Sequence, residues 1–375
     1  MRAVVVAIAL LAASARGGAQ KPTPLSPAGG DQLMYIGTYA GSIQIFDEAT
    51  EKLAGEIKLK TGIPRSLTLS QSRAKFYVLD ATLEKIEVVD IATRASVSTF
   101  TLSEGKKQVR IRGLQVDPLE RFLILLTRSA EKKIDRWEIG DITIQLYDLT
   151  QQKVTRTIPW PRGEEREFFN IRFSPDGKLL YFFGEDVLIL ETTNFTEVDT
   201  WPLSRPIEPG LGRISFGAVD DFNDDPGFFT GLFTTQDPIQ NRRIMNLGRV
   251  DLVAKSIDLT PIGPAEGVGF AMSPDRRRGY GLMQQIGRYE FWAFDLAQRK
   301  LLGRTPFEGR PRMALRVSSN GRLLYIFQAG ATIDVYDASS YKHLRTIQMN
   351  ADQTTNLFIL PRAQAPPARQ APKAP

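Results

Sequence analysis

Residues Ser174–Glu191 read SPDGKLLYFFGEDVLILE: a tight turn, a strand with a tyrosine seven residues past the turn's first residue, a second turn, and an apolar strand closed by an acid. Proline fixes φ, the aspartate side chain can bond the backbone two residues on, and glycine permits positive φ, so Ser-Pro-Asp-Gly turns the chain back on itself. Two short apolar strands joined in this way predict an antiparallel hairpin.

Both halves recur along the chain. SPDRRRGYGL (Ser273–Leu282), SSNGRLLYIF (Ser318–Phe327) and SQSRAKFYVL (Ser70–Leu79) repeat the first half. The acid-closed strand occurs seven times: IQIFD (Ile43–Asp47), IEVVD (Ile86–Asp90), IQLYD (Ile144–Asp148), VLILE (Val187–Glu191), LGRVD (Leu247–Asp251), FWAFD (Phe291–Asp295) and IDVYD (Ile333–Asp337). Successive acids lie 43, 58, 43, 60, 44 and 42 residues apart. With a polar turn and a further strand after each acid, every unit holds four antiparallel strands in about 43 residues, the period of a propeller blade. The two long intervals place insertions at Thr127–Asp141 and Phe233–Asn246, each between a second and a third strand and therefore on one side of the disc.

The first unit starts directly at its second strand, Gln32–Tyr39, while TTNLFIL (Thr354–Leu360) follows the seventh as an inner strand without a blade. The expected fold is all-β: a seven-bladed β-propeller over residues 31–361, closed by a C-terminal strand that completes the N-terminal blade and removes both sheet edges. The recurring S…DG…Y-V…V-D-T pattern resembles the YVTN type of seven-bladed propeller, similar in architecture to WD-repeat propellers. The opening MYIGTYAGSIQIFD (Met34–Asp47) is similar to the first blade of seven-bladed lactonases and cycloisomerases. Related architectures also serve as heavy subunits of quinone-dependent amine dehydrogenases. These resemblances speak to fold, because one scaffold carries unrelated activities.

The ends have their own character. Residues 1–20 read as a signal peptide, with Arg2 before an apolar run Ala3–Ala13 and a small-residue cleavage site Ala13-Ser14-Ala15, or alternatively a cut after Ala19. Residues 21–30 read as a short linker and 362–375 as a Pro/Ala-rich disordered tail. The apolar run is too short to span a bilayer, which takes about 20 residues. Without cysteine the export route fits a bacterium better than a disulfide-rich secretory pathway, so a periplasmic or secreted monomer is expected. Of the net charge of +6, two arginines lie in the first 20 residues and three cations in the last 15, leaving +1 for residues 21–360. A nearly neutral body is no nucleic-acid footprint.

Composition narrows the chemistry. With no Cys and one His among 375 residues, thiolate nucleophiles, disulfides, Cys-ligated metals and attached c-type haem are excluded, and no cofactor is expected. His343 falls at the start of an outer strand, away from the channel. Arginines stand just before or within the first inner-strand residues of five units: Arg65, Arg112, Arg166, Arg213 and Arg312, with Glu266 among several nearby glutamates. Guanidinium groups converging on a channel mouth offer planar donors to carboxylate or phosphate. Alternatively they form Arg–Glu pairs that hold the blades together. The expected function is a non-catalytic binding or scaffold protein, taking a protein, peptide or small anionic ligand on the side bearing 127–141 and 233–246. The lactonase resemblance implies an enzyme at the same mouth, with Glu266 or Glu167 as base and Arg312 or Arg213 beside it. The acidic run Asp220–Asp225 offers Asp221, Asn223 and Asp225 as a Ca²⁺ candidate, although Pro226 and Leu232 depart from an EF-type loop, and it also reads as a solvated turn.

Overall fold

A computed structural model describes residues 27–167, 170–205, 212–237, 239–327 and 330–362. The segment expected to be a signal peptide, most of the expected linker, the residues beyond Arg362, and Phe168, Phe169 and Glu208 lie outside the described residues. Seven four-stranded antiparallel sheets form a ring. Blade one is assembled from both ends of the chain. Phe358–Leu360 is its inner strand, followed by Leu33–Thr38, Ser42–Asp47 and Leu53–Lys58, with Leu360 opposite Leu33 and Phe358 opposite Tyr35. The other six blades are each continuous in sequence, and their inner strands are Pro64–Leu69, Lys107–Val116, Asn170–Phe173, Ile214–Asp220, Val268–Met272 and Ala314–Val317. One short 3-10 turn, Pro161–Gly163, is the only helix among the described residues.

Burial explains the strand composition. The middle strands are covered on both faces by neighbouring blades, so they read as nearly continuous apolar runs; LLYIF at Leu323–Phe327 is buried throughout. The outer strands have one wet side, and Ala95–Thr101 alternates accordingly. The apolar clusters lie between blades: Phe122, Ile124 and Ile144 of blade three pack with Phe173, Phe182 and Leu190 of blade four.

Each of the seven acids accepts backbone N–H groups from the turn that follows it: Thr50 on Asp47, Thr93 on Asp90, Gln151 on Asp148, Asn194 on Glu191, Ala254 on Asp251, Gln298 on Asp295 and Ser340 on Asp337. The residue four past each acid is left-handed: Glu51, Arg94, Gln152, Phe195, Lys255, Arg299 and Tyr341 have φ between 51° and 57°, or 58° at Phe195. The repeated acid is therefore a turn cap that lets a residue other than glycine hold this conformation.

Both insertions are continuations of blade strands. In blade three the second and third strands run Phe122–Lys132 and Trp137–Asp148, and the inner strand lengthens to match. In blade five they run Phe228–Asp237 and Arg242–Asp251. Each hairpin rises on the side where second strands lead into third strands.

Candidate functional site

The hairpin side gathers the arginines singled out by sequence, yet it does not bring them into one cluster. Arg65 is exposed and has no ion-pair or hydrogen-bond partner among the described residues. It shares a pocket of about 340 Å³ with Arg112, Ser66 and Leu83. Arg112 Nη2 donates to Glu167 Oε2 at 3.2 Å, from blade three toward blade four. Arg166 donates to Glu164 Oε2 at 3.0 Å and to the Phe183 carbonyl at 3.3 Å. Arg213 meets Glu185 at 2.6 Å, tying blade five to blade four. Arg312 sits exposed at φ 61°. Glu266 receives Arg288 at 2.6 Å and Arg304 at 3.2 Å, so both its oxygens are engaged by guanidinium groups. His343 lies exposed on the outer strand His343–Gln348, edge-on to Tyr336.

The hairpins give this side a second character. In blade three the tip turn is closed by Lys133 N–H on the Arg136 carbonyl at 2.8 Å, and Lys133 lies 2.7 Å from Glu131. A bulge after Ile139 breaks the register, and there Glu165 accepts the Ile142 N–H at 3.2 Å, latching the hairpin root to the incoming blade-four segment. Ile134, Trp137 and Ile139 are exposed on this extension. Ile239 at the tip of the blade-five hairpin and Ile286 in the two-residue turn of blade six are exposed on the same side.

The opposite side holds the feature that sequence reasoning did not foresee. The acidic loop after the blade-five inner strand reaches across the channel axis, and its acids are not all solvated: Asp220 and Asp224 are 4% and 8% exposed. Phe222 lies between two guanidinium groups, Arg73 of blade two at 4.7 Å and Arg316 of blade seven at 4.8 Å, and packs edge-on to Phe358 of blade one at 5.9 Å. Arg73 Nη2 donates to the Phe222 carbonyl at 2.6 Å. Burial there lowers the Arg73 pKa, with the Asp220 charge opposing. Around this wedge Asp220 accepts the Met272 N–H at 2.8 Å, Asp221 meets Arg172 at 3.3 Å, and Asp224 meets Arg249 at 2.9 Å. Arg276 holds Asp225. The Ca²⁺ candidates Asp221 and Asp225 thus face arginines, Asn223 donates to the Met272 carbonyl at 2.9 Å, and no metal-ligating group of acids and histidines forms among the described residues. Beside the wedge lies a channel cavity of about 960 Å³.

No helix among the described residues is long and apolar enough to cross a membrane. No protein-family model matches the chain. No curated protein matches it in sequence. Solved structures do match in shape. A functionally unknown protein from Desulfotomaculum acetoxidans is 14% identical over 89% of this chain and 100% of its own, with a TM-score of 0.52. The β-propeller domain of Myceliophteria thermophila Cps50 (Swd1) is 10% identical over 80% and 91%, with a TM-score of 0.52. Dihydro-heme d1 dehydrogenase NirN is 13% identical over 90% and 77%, with a TM-score of 0.50. Identities this low speak to fold alone, and by fold the chain is a seven-bladed β-propeller.

Proposed function

We propose that this is an exported, non-catalytic binding platform that takes a protein or peptide partner on the hairpin side of the disc. The observation that carries the reading is the grouping of exposed Ile134, Trp137, Ile139, Ile239 and Ile286 on that one side. Apolar residues exposed on one side of the disc favour association, since a partner removes them from water, and tryptophan is a frequent interface anchor. The pocket between Arg65 and Arg112 gives an acidic side chain of the partner a place to dock. Export rests on the leader-like residues 1–20.

The test is an in-cell photo-crosslinking experiment with a reactive residue at position 137, paired with the variant Ile134→Ser/Trp137→Ala/Ile239→Ser. A discrete adduct that disappears in the variant, at unchanged thermal stability, supports the reading. Equal crosslinking from position 119, on the opposite side, would overturn it. An enzyme at this mouth would instead require Glu266 to act as base while two arginines hold it.

A further inference from the structure

The second strand of each blade has a position two residues beyond the partner of the closing acid, and the residue paired with that position marks one level of the channel wall. At this level stand Thr68 opposite Tyr77, Gln115 opposite Ile124, Arg172 opposite Tyr181, Asp220 opposite Thr230 and Arg316 opposite Tyr325. Only blades one and six place Phe358 and Ala271 there. A polar layer in five blades of seven is costly in a wall otherwise built from Leu, Val and Phe unless its groups have partners.

The partners are unequal. Arg316 is nearly buried, donates Nε to the Leu357 carbonyl at 3.1 Å and faces the buried Asp220. Arg172 is a third exposed; its one ion pair among the described residues is with Asp221, which is itself more than half exposed, and its Nη1 makes a long contact of 3.5 Å to the Ile171 carbonyl. Gln115 and Thr68 make no side-chain hydrogen bond among the described residues. All of them line the same cavity of about 960 Å³, beside the apolar faces of Phe173, Phe270 and Phe358. That volume falls at the upper end of small-molecule sites and far exceeds a bound water or lone ion. The loop itself displays the chemistry that the wall accepts: Asp221 offers a carboxylate to Arg172, and the adjacent Phe222 offers an aromatic ring to Arg73 and Arg316.

We propose that this cavity binds a small aromatic carboxylate whose carboxyl group takes Arg172 in competition with Asp221. The ring packs on the phenylalanine wall, and Gln115 and Thr68 serve further polar groups. Asp221 is then an internal competitor, held by an exposed pair that contributes little and is readily exchanged.

Calorimetric titration with phenylacetate tests this, with propionate lacking the ring and benzyl alcohol lacking the charge. Phenylacetate is expected to bind the wild type and to bind Asp221→Asn about two- to fivefold more tightly, the range set by an exposed ion pair. Arg172→Gln should weaken it about tenfold or more, as loss of a charge-assisted pair does. Both comparison ligands should bind less well than phenylacetate. Absence of phenylacetate binding in Asp221→Asn, or binding unchanged in a folded Arg172→Gln protein, overturns the proposal. Equal binding of propionate overturns the aromatic part.

Discussion

Arg345, in the outer strand of blade seven, donates Nε and Nη2 to the two carboxylate oxygens of Glu51 in blade one, each at 2.5 Å. The same Nη2 reaches the Pro27 carbonyl at 2.9 Å. Nearby, Glu48 is fully buried and accepts the Ser319 N–H at 2.8 Å, and Arg362 holds Asp47. Arg345–Glu51 and Ser319–Glu48 thus fasten the last blade to the first, and Arg362–Asp47 ties the chain beyond the C-terminal strand to blade one, in addition to the backbone pairing of that strand.

Because the Arg345–Glu51 pair is two-pronged and mostly buried, its loss should cost more than loss of a single exposed pair. Arg345→Met is expected to lower the unfolding free energy by about 1–2 kcal/mol. Arg299→Met, which removes a pair with the exposed Asp258, should cost less than about 0.5 kcal/mol. Urea midpoints of the two variants measure the difference, and equal losses would mean that the seam is held by strand pairing alone.

The left-handed residues after the seven acids make a second prediction. Gln152 is the cleanest position, since it is exposed, has φ 52° and makes no side-chain hydrogen bond or ion pair among the described residues. A side chain other than glycine costs about 1 kcal/mol in this region, partly offset by the extra freedom of unfolded glycine. Gln152→Gly is expected to stabilise by a few tenths to about 1 kcal/mol. Gln152→Val should destabilise by a comparable or larger amount. A fall in denaturation midpoint for the glycine variant would refute the turn assignment.

Acid should weaken the carboxylate-capped turns, both the Ser-Pro-Asp-Gly turn and those after the closing acids. The Ser174 hydroxyl donates to Asp176 at 2.6 Å, and the Lys178 N–H adds a second bond, which together lower the Asp176 pKa to about 2. A carboxylate whose folded value lies below its unfolded value near 3.9 stabilises the fold at higher pH and loses that contribution as pH falls toward 2. Asp337, lowered by the Ser339 and Ser340 donors against the opposing effect of its burial, follows the same sign. Thermal midpoints should therefore drop between pH 4 and pH 2, and Asp176→Asn should lessen that drop while changing the midpoint little at pH 2. A parallel pH dependence in the variant would show that Asp176 does not titrate as this geometry requires.

The repeat was readable because each recurring residue answers a local need. The acid caps a turn within four residues of itself, and Ser174 and Asp176 fold one hairpin. The closing strand was readable from counting alone, since blade one lacked an inner strand and TTNLFIL lacked a blade. Of the five arginines found by position, Arg166, Arg112 and Arg213 proved to be separately paired, with Glu164, Glu167 and Glu185 in turn. The channel wedge was not readable, since Phe222 meets residues 94 and 149 positions away, and only the ring geometry brings them together.

That wedge gives the last prediction. If Phe222 were a surface residue on a solvated turn, replacing it would change stability by no more than a few tenths of a kcal/mol. The geometry argues otherwise: the ring is flanked by Arg73 and Arg316, touches Phe358 of the closing strand, and joins a loop anchored in blade five to blades one, two and seven. Each guanidinium–ring contact contributes about 0.5–1 kcal/mol, and the partly buried phenyl adds its transfer term. Phe222→Ala should therefore cost about 1–3 kcal/mol, and Phe222→Leu should cost less, because it retains apolar volume but no ring face. Arg73→Met in the Phe222→Ala background should add less than it does alone, since the contact it would break is already gone. A chemical-denaturation cycle over these four proteins measures the coupling, and strict additivity would mean that the loop lies over the channel without bracing it.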